Sequence, residues 1–203
     1  MDIGILGSGA VGQALARGYA RHGHTVTVGT RRADLGGLPV GSPSAVAAAA
    51  DLVVLAVQGS AAESLVGSLA DELRGTVLVD ATNPLDLSGG SPQLFVGCTD
   101  SLGERVQRAA PDARVVKAYN TVGNTLMVDP QLPGGPPSMF VAGNSDDAKE
   151  TVGGLLRDTG WDVVDLGGIE ASRWLEPMCM AWVAYGQRSG SWEHAFRLLR
   201  AGA

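Results

Sequence analysis

The sequence predicts an α/β fold: a doubly wound parallel sheet followed by a small C-terminal helical segment. Three observations carry that prediction. Short apolar runs of strand length alternate with helical stretches as far as residue 166. A glycine-rich turn joins the first run to the first helical stretch. Beyond Gly167-Gly168 the strand signals stop and helical periodicity takes over.

Asp2-Ile3-Gly4-Ile5-Leu6 is the first strand. Gly7-Ser8-Gly9-Ala10-Val11-Gly12 follows and fits G-x-G-x-x-G. Val11, Leu15 and Tyr19 recur at helical spacing, Gly23 stops the helix, and residues 24–29 form the second strand. In such a turn Gly7 permits the bend and Gly9 lets a pyrophosphate approach the backbone. Gly12 lets the helix pack close to the strand. The helix then turns its free N–H groups and positive dipole end toward the phosphates. A strand before the motif and a helix after it give the context of an NAD(P)-binding Rossmann unit.

The end of the second strand selects between the two nicotinamide cofactors. NAD sites place a carboxylate about twenty residues past the glycines, on the ribose 2′-hydroxyl. Gly29-Thr30-Arg31-Arg32 stands there instead, with no acid until Asp34. Two guanidiniums and a hydroxyl suit a 2′-phosphate, so the expected cofactor is NADP(H).

A Gly/Pro-rich connection leads through Ser42 to a short Ala-rich helix over 44–50. Residues 51–57 are almost continuously apolar, as expected of a central strand covered on both faces. Ser60-Ala61-Ala62-Glu63 reads as a capping box for a helix carrying Leu65, Leu69 and Leu73, closed by Gly75. Residues 76–80 are the fourth strand, 86–97 read as loop, and a helix over 101–110 ends at Pro111. Strands follow at 113–117, 138–142 and 161–166, with a helix capped by Ser145 before the last. From about Glu170 the pattern is helical. Trp174, Met178 and Trp182 share one face, and Pro177 kinks this helix or sits near its first turn. A second helix is expected over 191–200, with Trp192, Phe196 and Leu199 on one side and Glu193/Arg197 as an i, i+4 pair. The expected division is a dinucleotide-binding domain over 1–168 and a helical segment over 169–203.

Composition narrows the function. The 203 residues carry a net charge of −6, with 45% hydrophobic and 18% charged residues. No basic face is evident outside Arg31-Arg32, which argues against a nucleic-acid partner. No signal peptide or bilayer-spanning stretch is legible, so a cytoplasmic protein with no membrane part is expected. Cys98 and Cys179 are isolated, and His22, His24 and His194 lack metal-ligand spacing, so no metal is expected.

In this topology ligands bind outside the carboxyl ends of the strands. The loops there are Val57-Gln58-Gly59, Ala81-Thr82-Asn83-Pro84 and Tyr119-Asn120-Thr121. Asn83, Asn120 and Thr121 are uncharged hydrogen-bonding groups suited to a nicotinamide carboxamide or a ribose. Lys117 reads as a structural ion-pair partner. No Ser/His/Asp set, acidic metal cluster or catalytic Lys/His pair is present. Hydride transfer between two ring systems needs mainly juxtaposition, which matches a site poor in ionisable groups. The acceptor would then be a small redox molecule. The Trp and Met stripe near the C-terminus suits core packing, a dimer interface or a wall of the acceptor pocket.

These residues resemble those of the NADPH-dependent reductases of the deazaflavin coenzyme F420. The likeness runs through Gly7–Gly12 with Gly29-Thr30-Arg31-Arg32, Asp80-Ala81-Thr82-Asn83-Pro84-Leu85, residues 115–122, Met139 to Asn144, and Trp174-Leu175-Glu176-Pro177-Met178 on to Trp182. The cytosolic domains of the six-transmembrane ferric reductases look related. The resemblance implies an NADP-binding domain whose C-terminal helices help form the deazaflavin pocket and a homodimer. It implies pyrophosphate contacts from Ser8, Gly9, Ala10 and Val11, and 2′-phosphate contacts from Thr30, Arg31 and Arg32. Val57 and Gln58 would flank the adenosine or ribose. Archaeal members carry histidine where Asn120 stands and Val-Pro-Ala where Val122-Gly123-Asn124 stand, so a flavin or another acceptor stays open beside coenzyme F420. The remaining alternatives are an imine or pyrroline-carboxylate type of reductase, whose helical domain is usually longer, and a non-catalytic NADPH-binding protein.

Overall fold

The computed structural model describes residues 1–201. The chain begins β1 (Asp2–Leu6), α1 (Ala10–Arg21), β2 (Thr25–Gly29), β3 (Val40–Gly41), α2 (Pro43–Ala49), β4 (Leu52–Leu55), α3 (Gly59–Ser68) and β5 (Val77–Asp80). It continues with β6 (Leu85–Asp86), β7 (Gln93–Leu94), α4 (Leu102–Ala109), β8 (Arg114–Lys117), β9 (Ser138–Gly143), α5 (Asp146–Asp158), β10 (Asp162–Asp165) and α6 (Ser172–Ser189).

Eight strands form one sheet in the order β10-β9-β8-β5-β4-β1-β2-β3. From β3 to β8 this is the 3-2-1-4-5-6 order of a Rossmann fold, all parallel. All four residues of β4 are buried, and they alternate between two cores. Leu52 and Val54 join Leu15, Tyr19 and Val152 on the face of α1 and α5. Val53 and Leu55 join Val66, Leu102 and Val106 on the face of α3 and α4. Both faces are covered, which is why this strand reads as an unbroken apolar run.

Five details differ from the sequence expectations. The sheet is not wholly parallel: β9 runs antiparallel to β8, with Val116 opposite Gly143. A parallel return needs a crossover, usually a helix, and residues 118–137 hold only the short 3₁₀ turn Asn124–Leu126. The stretch 86–97 is not all loop, because β6 and β7 form a small antiparallel hairpin. Ser60 does not cap α3. The N-cap is Gln58, whose side chain makes no capping bond, and the helix starts at Gly59. A Cβ at Gly59 would stand 2.0 Å from the Asn83 carbonyl oxygen, so this helix approaches the loop after β5 more closely than a side chain allows. It ends at Ser68, and Leu69 and Leu73 bury from the turns beyond.

The fourth difference is the expected helix over 191–200, which is absent. Gly190 turns left-handed (φ +70°) and ends α6. The following strap folds back instead. Trp192 packs on Gly186, where a Cβ would come within 2.6 Å of its ring. Trp182 Nε1 donates to the His194 carbonyl at 2.9 Å, and the two rings stack 4.8 Å apart. Ser138 N donates to the Phe196 carbonyl and Leu198 N donates to Ser138 Oγ. Leu199 is exposed, and Glu193 and Arg197 form no ion pair among the described residues. The backbone of this strap bonds to other elements, so the i, i+4 spacing of its aromatics does not make a helix. Fifth, Trp174, Met178 and Trp182 do not share one environment: Trp174 is 65% exposed and Trp182 is 9% exposed. Pro177 lies inside α6, in its second turn. Among the described residues no helix is long and apolar enough to cross a membrane.

Candidate active site

A cleft of about 680 Å³ opens at the carboxyl ends of β4 and β5. Val57, Gln58, Thr82 and Asn83 line it, with Val11 from the glycine turn. Its outer wall is the β6–β7 hairpin, contributing Leu85, Asp86, Leu87 and Phe95. Leu87 is 67% exposed at the mouth. This hairpin escaped the sequence reading. The alternate apolar residues Leu85 and Leu87 were its only local signal, and two-residue strands fall below any periodicity test.

The glycine turn has the shape its motif implies. Gly7 has φ +132°, and a Cβ there would lie 2.2 Å from the Ala56 carbonyl oxygen. A Cβ on Gly12 would lie 2.0 Å from the Gly7 carbonyl oxygen, so α1 packs directly on the turn. Gly9 has nothing within 4 Å of its Cβ position and faces open space. It is the N-cap of α1, which has no side-chain cap and no acid in its first turn. Gln13 Nε2 donates to the Ser8 carbonyl at 3.0 Å and braces the loop.

At the end of β2, Thr30 Oγ1 accepts from Arg32 N at 3.1 Å. Arg31 and Arg32 are exposed, and neither forms an ion pair among the described residues. Among those residues no group of three or more His, Cys, Asp or Glu side chains is placed to hold a metal ion.

Beneath the cleft lies a buried ionic triad. Lys117 Nζ sits 2.9 Å from Asp80 Oδ2 and 2.8 Å from Glu176 Oε1, with side-chain exposures of 0, 0 and 1%. Burial alone would lower the lysine pKa, but the two carboxylates outweigh it and hold it above the ordinary value. Asp80 Oδ1 also accepts from Thr82 N at 2.9 Å and Thr82 Oγ1 at 2.6 Å. Glu176 reaches across from α6 and accepts from Leu102 N and Gly103 N, both at 2.9 Å. Two carboxylates against one ammonium leave a negative balance, and the positive end of α4 offsets it. Arg173 adds a second tie between these helices, donating to both oxygens of Glu104. Lys117 is thus the ion-pair partner its position suggested. Glu176 was missed, because its partners lie far away in sequence.

The asparagines are joined to this frame. Asn83 Nδ2 donates to the Asn120 carbonyl at 2.8 Å, and Asn120 Nδ2 donates to the Leu175 carbonyl at 2.6 Å. The Oδ1 atoms of both are buried without a partner. Asn120 and Thr121 are 2 and 3% exposed and lie behind Asn83 rather than in the cleft lining. α6 is therefore tied to the cleft residue Asn83 through the Leu175 carbonyl and Asn120.

The fold is that of the NAD(P)-binding oxidoreductases. Residues 2–84 match the family described as NADP oxidoreductase coenzyme F420-dependent. F420-dependent NADP reductase of Methanothermobacter thermautotrophicus is 30% identical over 199 residues, covering 87% of this chain and 85% of that one. The solved structure of a candidate F420-dependent NADP reductase from Arthrobacter sp. FB24 is 39% identical. It superposes with a TM-score of 0.91 over 98% of this chain and 99% of that one. Metalloreductase STEAP3 of Rattus norvegicus is 29% identical over 181 residues, and the chain spans 35% of that protein's length. The chain belongs to the coenzyme F420-dependent NADP oxidoreductase family.

Proposed function

We propose that this protein transfers hydride between NADP(H) and coenzyme F420, using the cleft at the ends of β4 and β5. The observation that carries the reading is the uncapped α1 turn, open at Gly9, with two arginines on the neighbouring strand end that form no ion pair among the described residues. The first-turn amides of α1 would hold the pyrophosphate. Thr30, Arg31 and Arg32 would hold the 2′-phosphate, and Val57 and Gln58 would flank the ribose. NADP(H) supplies the hydride when bound. The protein positions the rings, since only Asp86 among the cleft side chains ionises. The hairpin with Leu87 and Phe95 offers an apolar wall for the acceptor ring and keeps water from it.

Two measurements test this. Mixing the protein with NADPH and oxidised coenzyme F420 should bleach the deazaflavin absorbance. Bound NADPH with no bleaching would leave only a dinucleotide-binding protein. Arg31→Glu should weaken NADPH binding far more than NADH binding, and equal losses would move the 2′-phosphate site elsewhere. The reading includes a homodimer through the outward face of α6, where Trp174 and Tyr185 are 65 and 58% exposed. A monomer in sedimentation equilibrium would remove that part.

A further inference from the structure

The connection from β2 to β3 carries Thr30, Arg31 and Arg32, and it is pinned at its ends and in its middle. At the ends the strands hold it: Val28 N donates to the Pro39 carbonyl at 2.8 Å and Thr30 N to the Gly41 carbonyl at 3.0 Å. In the middle the Leu35 side chain is buried in the core with Leu15 and Tyr19 of α1. Arg17, exposed on α1, adds a further tie. Its guanidinium donates to the Leu35 carbonyl at 3.3 Å and, through both terminal nitrogens, to the Gly36 carbonyl at 3.5 Å. Gly36 is left-handed (φ +63°), and a Cβ there would lie 3.3 Å from Arg17 Nη2, so the guanidinium lies close over this glycine. Asp34, the one acid of the loop, folds onto its own backbone, its Oδ1 accepting from Gly36 N at 3.1 Å.

Each Arg17 contact is long and weak by itself, but three from one planar fork restrict the backbone together. Ordering a long exposed side chain costs rotamer entropy, and no carboxylate among the described residues holds Arg17 in an ion pair. What its ordering fixes is the short arc 31–34, between Thr30 and Leu35. We infer that Arg17 is a positioning residue for NADP(H): it holds this arc in place before the cofactor arrives, so that binding the 2′-phosphate has less loop to order. The inference rests on the reading of Thr30, Arg31 and Arg32 as the 2′-phosphate site. In that reading the first turn of α1 faces the pyrophosphate, and Arg17 stands about 10 Å further along the same helix. One rigid element then sets the spacing of both phosphate sites. The 2′-phosphate is what separates NADP(H) from NAD(H), so Arg17 contributes to that choice without touching either cofactor.

The test is Arg17→Met on the full chain, with two readouts. In titration calorimetry NADP⁺ should bind about tenfold more weakly, and NAD⁺ no more than about twofold. In limited trypsin digestion of the cofactor-free protein, read by mass spectrometry, cleavage after Arg31 and Arg32 should be faster by about threefold or more, because the arc opens more often. Unchanged discrimination between the two cofactors overturns the inference. So does lost discrimination with unchanged cleavage, since Arg17 would then meet the phosphate itself. If Arg17→Met does not fold, Gly36→Ala carries both readouts, because its Cβ crowds the guanidinium at a left-handed position and the same pair of changes is expected. Arg31→Glu separates this inference from the reading beneath it. If that variant loses NADP⁺ selectively and Arg17→Met does not, this inference alone falls. If it weakens both cofactors equally, the 2′-phosphate site lies elsewhere and the inference falls with it.

Discussion

The chain treats the N-termini of α1 and α4 in opposite ways. At α4, Ser101 Oγ accepts from Glu104 N, and the Glu176 carboxylate accepts from Leu102 N and Gly103 N. At α1, Gly9 offers no side chain, no acid stands in the first turn, and the space in front is empty of protein. A helix N-terminus attracts an anion in either case. The first has been given an internal one, and so becomes the point where α6 is fastened to the sheet. The second is left open, and in the proposed reading the cofactor's pyrophosphate fills it. The same kind of helix end serves cohesion at α4 and stays open at α1, both at the carboxyl end of the sheet, and what separates them is which residues stand near.

The strongest way to break the comparison is to remove the cation at the filled helix. Lys117→Met leaves Asp80 and Glu176 buried without their partner. It should cost about 3–5 kcal/mol of stability in denaturant melts. A loss under about 1 kcal/mol would mean that the triad does not hold α6. Acidity gives a smaller effect of the same origin. The Arg173 contact draws the Glu104 pKa below its ordinary value, with burial opposing. Its contribution is therefore full above the ordinary glutamate pKa and is lost as pH falls through the depressed folded value. Lys117 behaves oppositely: its contribution is full below the ordinary lysine pKa and is lost as pH rises through the raised one. Unfolding should thus start at the α4–α6 contact in both acid and alkali, visible as early loss of amide-exchange protection in α6. The smallest expected effect on stability is at the open helix. Gly9→Ala should change it by no more than about 0.5 kcal/mol, since nothing lies within 4 Å of the new Cβ. Its NADP⁺ affinity should fall. Unchanged affinity would mean that the phosphates do not approach Gly9.

This contrast also explains what the sequence made legible. The open turn is written in consecutive residues, so Gly7, Gly9 and Gly12 suffice to read its bend, its approach and its packing. The filled one is assembled from Asp80, Lys117, Leu102 and Glu176, which no local window contains. Lys117 was readable as a strand-end ion-pair partner, but not the carboxylate on α6. The strap after Gly190 misled because Trp192, Phe196 and Leu199 recur at helical spacing. Their packing against Gly186 and Ser138 is tertiary, and it overrides that spacing. The antiparallel β9 was misread as parallel, although the stretch before it holds no amphipathic helix to carry a parallel return.

The triad has a consequence for synthesis. Asp80 and Lys117 leave the ribosome well before Glu176, at about 5–20 residues per second. Until α6 emerges, the nascent sheet holds a balanced pair and the α4 amides stay with water. The arriving carboxylate then settles both, so the cofactor-binding half completes its floor only when a late segment of the chain is delivered. A nascent chain stalled before residue 172 would carry the glycine turn intact and Asn120 without the Leu175 carbonyl that orients it.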